Sequence, residues 1–285
     1  MSNTIQLVEC PRDAMQGWKK LIPTPQKIEY INALLKVGFD TIDFGSFVSA
    51  KAIPQMADTK KVVAHLDMDT GKSKLLAIIA NTRGAKESLP YEKITCLGFP
   101  FSVSPTFQKR NTNSTIGESF LMVEEIQNLC IQHKKQLVVY ISMGFGNPYG
   151  DIYHEDLVMQ WVGKLIGLKI NIISIADTVG LASPVQVSSL LEKLIKAHPA
   201  EIIGVHLHST AVNRKQKIEA AFNAGCKRFD GALKGIGGCP MANDELVGNI
   251  NTEFLVSYLE EKKVLPPLNK RAFDDALVMA NQIFQ

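Results

Sequence analysis

Short apolar, β-branched runs alternate with longer amphipathic ones from one end of this chain to the other, eight times over. The runs cover residues 5–10, 41–44, 75–80, 94–99, 137–142, 170–176, 202–208 and 228–231. Several are almost continuously apolar, the pattern of parallel strands buried on both faces by helices. Strand and helix repeated eight times without a linker predict one α/β domain over 1–285, a (β/α)8 TIM barrel. After Pro266-Pro267, residues 270–284 read as an additional C-terminal helix.

The segments between the runs carry helix signals. Thr24-Pro25 reads as an N-cap followed by proline in the first turn, with Gly38 ending that segment. Ser183-Pro184 opens another, whose Val187, Leu190, Leu191, Leu194 and Ile195 fall on one helical face. Met122, Ile126, Leu129 and Cys130 make the same stripe in a third.

Charge narrows the partners. The 31 basic and 28 acidic side chains leave a net +3 with no concentrated basic stripe. That argues against a nucleic-acid binder and suits an anionic metabolite. The N-terminus reads as lacking a secretory signal, and no apolar run reaches the roughly 18 residues of a membrane span. Five irregularly spaced cysteines argue against a disulfide framework, so a reducing, cytoplasmic setting is expected, with Cys10, Cys96, Cys130 and Cys226 as packed residues.

Barrel active sites lie at the C-terminal ends of the strands, so polar residues closing each run are the candidates. In Val205-His206-Leu207-His208 the two imidazoles share one face of a strand and point into the barrel mouth. They suit two adjacent metal ligands, or ordinary strand histidines with hydrogen-bond partners. Arg12-Asp13 after the first run offers a fixed cation for an oxyanion and a hard oxygen ligand, or only a surface ion pair. Gly235-Ile236-Gly237-Gly238-Cys239-Pro240 is a loop suited to closing over substrate, with Cys239 as its reactive group or simply a loop thiol. Asn249 either offers an amide oxygen to a metal or caps the helix beginning near Thr252.

Taken together in order, VECPRDAMQG, IDFGSFVSAKAIPQM, TFQKRNTNSTIGESF, ADTVG, VHLHS and GIGGCP with its trailing GN resemble the 3-hydroxy-3-methylglutaryl-CoA lyase family over nearly the whole chain. The resemblance implies cleavage of 3-hydroxy-3-methylglutaryl-CoA to acetyl-CoA and acetoacetate, with one Mg²⁺ or Mn²⁺, in a homodimer. It implies Asp13, His206, His208 and Asn249 as metal ligands and Arg12 as the stabiliser of the enolate. Cys239 then supplies the proton and Asp177 lies near the substrate hydroxyl. Gln16, Ser46 and Asn81 become substrate contacts.

Several positions depart from the family. Asp43 stands where the family has glutamate, so its link to Arg12 must be remade. Ser209 replaces an aspartate, IIANTRG lacks a proline before Asn81, and the loop from Gly144 to Gly150 lacks the family's cysteine. These bear on the acyl group, leaving open a related branched substrate, a Claisen-type synthase or an aldolase for a 4-hydroxy-2-oxo acid. A non-enzymatic acyl-CoA-binding barrel is the alternative outside enzymes.

Overall fold

The structure is a computed structural model that describes residues 4–238 and 247–285. Eight parallel strands close in sequence order into a barrel. They are β1 (Gln6–Glu9), β2 (Thr41–Ser46), β3 (Lys74–Ile78), β4 (Ile94–Ser102), β5 (Gln136–Ser142), β6 (Ile172–Asp177), β7 (Ile202–Leu207) and β8 (Arg228–Gly231). All eight coincide with the runs read from the sequence. Their ends shift by a few residues, most at β4, which continues through Pro100 and Phe101 to Ser102. The ring is sealed where β1 pairs with β8 over Gln6↔Arg228 to Glu9↔Gly231.

Alternation of side chains divides the interior in two. Residues facing the helices join one large cluster, in which Ile42, Phe99, Ile141, Ile173, Val205 and Leu207 are buried. Residues facing the axis form a smaller one of Leu76, Cys96, Val138, Tyr140 and Ile172. Helix Pro184–Ala197 has a capping box between Ser183 and Gln186, and its Val187, Leu190, Leu191 and Leu194 are fully buried.

At Thr24 the expected cap is not made. Helix Thr24–Leu35 takes Pro23 as its N-cap without a side-chain bond, and the Thr24 hydroxyl donates to Asp58 Oδ2 at 2.7 Å instead. Gly38 ends the segment with a φ of +90°. Helix Lys270–Ile283 is the additional C-terminal helix. Among the described residues, no helix is long and apolar enough to cross a membrane.

One irregularity prepares the site. β7 and β8 pair only at Gly204↔Arg228 and Val205↔Phe229 before they splay. The segment 248–252 fills the gap. Ser209 N donates to Gly248 O, Ile250 N to Leu207 O, and Ala232 N to Ile250 O. Asn249 is thereby held opposite His208.

Candidate active site

Pro11-Arg12-Asp13 folds into a short helix, Pro11–Gln16, and both charged side chains are buried, so the exposed surface pair is excluded. Arg12 is engaged on three sides. Its Nε and Nη2 donate to Asp43 Oδ2 at 3.0 and 2.5 Å, and its Nη1 donates to Asp13 Oδ1 at 3.0 Å and Gln16 Oε1 at 2.8 Å. Asp43 reaches Arg12 although it is one methylene shorter than glutamate. The β2–β3 register slips between Asp43 and Gly45, a local irregularity directly beside this carboxylate. Burial raises the Asp43 carboxyl pKa while Arg12 pulls it back.

Asp13, His206 and His208 each present a ligand atom within 4.8 Å of the others. Burial alone would raise Asp13, but the charges of Arg12, His206 and His208 and the Asn249 amide hold it below the ordinary carboxylate value. Asn249 Nδ2 donates to Asp13 Oδ2 at 2.6 Å and to Ile236 O at 2.9 Å. The helix Thr252–Glu261 is capped by Asn251, which accepts from Phe254 N, so the capping role belongs two residues along. Gly237, at φ +112°, seals this corner: a Cβ there would collide with the Asn249 amide and come within 2.9 Å of Asp13 Oδ2.

The imidazoles have different surroundings. His206 Nδ1 lies 3.2 Å from Asp230 Oδ2, and this bond with the Asp230 charge raises its pKa against the effect of burial. His208 is lowered to about 4 by burial and the neighbouring His206, and its Nε2 is buried without a hydrogen-bond partner. A neutral imidazole with an orphaned nitrogen, beside a carboxylate held ionised, fits a divalent cation. Cys10 also lies near His206 and Asp230, yet burial and the surrounding carboxylates push its thiol pKa well up, so it stays a protonated packing group.

Above the cluster opens a cavity of about 290 Å³. Arg12, Asp13, Gln16, His206 and His208 form its polar floor, with Tyr140, Ser142 and Thr178 on one side. Its wall is apolar, from Val48, Ala52, Ile53, Ile78, Pro100 and Phe107. Phe107 and Asn111, both at the cavity, lie on helix Pro105–Thr112. That helix is tied to the residue following the loop that departs from the family: Asp151, whose N donates to Asn147 Oδ1 within that loop, accepts from Ser104 Oγ, from Thr106 N at 3.0 Å and from Thr106 Oγ1 at 2.8 Å.

Other expected contacts lie elsewhere. Asp177 does not line the cavity: Oδ2 accepts from buried Lys217 Nζ at 2.6 Å and Oδ1 from Ala182 N at 3.0 Å. Lys217 also donates to His208 O at 2.8 Å, so the pair supports the strand end from behind. Asn81 is exposed and caps helix Thr82–Ser88 by accepting from Gly84 N; its side chain is committed to the backbone, and Ala80 is the cavity residue. Ser46 is buried and accepts from Val48 N at 3.1 Å, and it is Val48 that reaches the cavity. Cys239 lies outside the described residues.

A closed parallel barrel with a metal-capable cluster and a half-apolar cavity at the C-terminal ends of its strands has the layout of a TIM-barrel enzyme. The HMGL-like family model matches residues 5–279, and the chain belongs to that family. It is 32% identical over 254 residues to hydroxymethylglutaryl-CoA lyase YngG of Bacillus subtilis, covering 89% of this chain and 84% of that protein. It is 31% identical over 256 residues to the cytoplasmic 3-hydroxy-3-methylglutaryl-CoA lyase of Rattus norvegicus, covering 90% and 74%. The structure of an HMG-CoA lyase from Acinetobacter baumannii in complex with coenzyme A and 3-methylmalate superposes with a TM-score of 0.91 at 31% identity, covering 100% of this chain and 93% of that one.

Proposed function

We propose that this chain is a metal-dependent carbon–carbon lyase that splits 3-hydroxy-3-methylglutaryl-CoA into acetyl-CoA and acetoacetate. The observation that carries this reading is the convergence of Asp13, His206 and His208 within 4.8 Å at the floor of the cavity, with buried Arg12 beside them. Relatives at 31–32% identity bearing the name of that lyase support the substrate.

Asp13, His206, His208 and the Asn249 amide oxygen would hold one divalent ion. Mixed nitrogen and oxygen donors admit Mg²⁺ and favour Mn²⁺ somewhat more. When bound, such an ion supplies Lewis acidity that makes the tertiary hydroxyl of the substrate more acidic.

The rest is assigned to the protein's own groups. The hydroxyl proton is assigned to the Asp13 carboxylate, and the oxygen's electron pair becomes the ketone of acetoacetate. The carbon–carbon bond breaks toward the thioester, leaving the acetyl-CoA enolate. Arg12, held by Asp43 and Gln16, keeps a positive charge where that enolate oxygen develops. Cys239 is assigned the return of a proton to the enolate carbon. The apolar wall around Val48, Ile53 and Phe107 excludes water that would quench the enolate early.

The test is acetoacetate release from 3-hydroxy-3-methylglutaryl-CoA with added Mn²⁺ or Mg²⁺, and again after chelation. Metal-dependent release is expected. No release from protein that binds Mn²⁺ would move the substrate to another branched acyl group, with Asp43 and the Gly144 to Gly150 loop the places to look.

A further inference from the structure

Beneath the ligand cluster the barrel axis holds a second charged layer. Arg228 on β8 is 1% exposed and ranks among the largest fully buried side chains. Strand register puts it in one row with Gly204 on β7, Ser174 on β6 and Tyr140 on β5. Gly204 is the notch that admits it: a Cβ at 204 would lie 2.9, 2.9 and 3.0 Å from Cβ, Cγ and Cδ of Arg228. The arginine stem therefore lies across the backbone of β7, in the strand that carries both histidines.

The guanidinium ends near Asp230, with Nη2 4.0 Å from Oδ1. The other carboxylate oxygen of Asp230 is the one at His206 Nδ1. Nε and Nη2 of Arg228 and Oδ1 of Asp230 are all buried and make no hydrogen bond. A buried carboxylate without a counter-charge is strongly unfavourable, and so is a buried guanidinium. Apart from the contact of Asp230 with His206, the two groups are thus held chiefly by each other's field.

We infer that Arg228, seated in the Gly204 notch, is a positioning residue for the metal cluster, holding the Asp230 carboxylate against His206 Nδ1 so that Nε2 of His206 faces the ion. This rests on the metal reading of Asp13, His206 and His208. It extends that reading one layer down, where a carboxylate behind a histidine ligand fixes the ring's tautomer and direction.

The test is Mn²⁺ titration, followed by the electron paramagnetic resonance of free Mn²⁺, of the wild type and of Arg228→Met, Arg228→Lys, Gly204→Ala and Asp230→Asn. Outer-layer losses of this kind typically weaken metal binding by about 10–100-fold. Asp230→Asn is expected in that range, Arg228→Met and Gly204→Ala near its lower end, and Arg228→Lys between Arg228→Met and the wild type. A nitrogen-15 spectrum of the metal-free protein should show the His206 tautomer mixture change in Arg228→Met. Ile172→Val, two residues below Ser174 on the same interior face of β6, serves as a packing control and should bind as the wild type does.

Wild-type affinity in folded Arg228→Met and Gly204→Ala, with Asp230→Asn impaired, would reduce Arg228 to a filler and overturn the inference. An equal loss in Ile172→Val would do the same. If the wild-type chain binds no Mn²⁺ at all, the metal reading falls first and this inference with it.

Discussion

Replacing Lys217 by methionine isolates the support behind the strand that carries both histidines. Lys217 and Asp177 form an ion pair of 2.6 Å whose side chains are 1% and 2% exposed. The ammonium also donates to Gly180 O at 3.1 Å and His208 O at 2.8 Å. Methionine fills much of the volume but leaves a buried carboxylate with only the backbone donors of Ala182 and Leu181, and removes a donor from two carbonyls. Breaking a buried pair from one side costs about 3–5 kcal/mol. With an unfolding entropy near 2.1 cal/mol/K per residue, a chain of this length loses ~0.6 kcal/mol/K, so Tm should fall by roughly 5–8 °C. Adding Asp177→Asn removes the stranded charge and keeps the acceptor for Ala182 N, so it should restore about 1–3 kcal/mol. Both are read from thermal and urea unfolding of metal-free protein. A loss under about 1 kcal/mol in Lys217→Met, or no recovery in the double variant, would refute the view that this pair is held by mutual burial.

Three other outcomes are expected. Arg12→Met should lower kcat about 100–1000-fold, the loss seen when one oxyanion donor is removed, while Mn²⁺ affinity stays within a few-fold; an unchanged kcat would remove Arg12 from the enolate. Cys239→Ser should bind metal normally and turn over about 100–10,000-fold more slowly, and near-normal acetoacetate release would end its assignment as the acid. Glu9, fully enclosed and bonded to Leu233 N and Thr252 Oγ1, has its carboxyl raised to about 8 by burial. A carboxyl with a raised folded-state pKa contributes stability fully present below its unfolded value near 4.5 and lost as pH climbs toward 8. Glu9→Gln, which mimics the protonated form, should flatten the fall in urea stability between pH 5 and 8, and an unaltered slope would exclude Glu9 as its source.

Much of this architecture is legible in the order of the residues alone. Apolar runs of four to seven residues have few alternatives when each is followed by an amphipathic stripe, and the two-residue spacing of His206 and His208 forces them onto one face. Local chemistry is harder to read. Asn249 and Asn251 sit on the same short segment, and only the backbone pairing with Leu207 and Ala232 decides that the first faces Asp13 and the second caps the helix. Asp177, Asn81 and Ser46 close or follow strands, as expected of site residues, but each is claimed by a nearer partner. Asp230 escapes the sequence reading although it too lies near a strand end, and its two-residue spacing from Arg228 is a usable signal. Lys217 has no such signal: it is one cation among several on a helix, and its role follows from the tertiary approach of that helix to β6 and β7.

The bond between Asn249 and Asp13 joins residues 236 positions apart, and Glu9 reaches Leu233 and Thr252 across 224 and 243. Contacts so distant along the chain form late in folding, because the intervening loop must first be closed at an entropic cost. The ligand set assigned to the ion therefore exists only once the first strand has met the last. Metal uptake during refolding becomes a clock for ring closure, and a partly folded chain, however much helix and strand it has gained, would compete poorly for the ion.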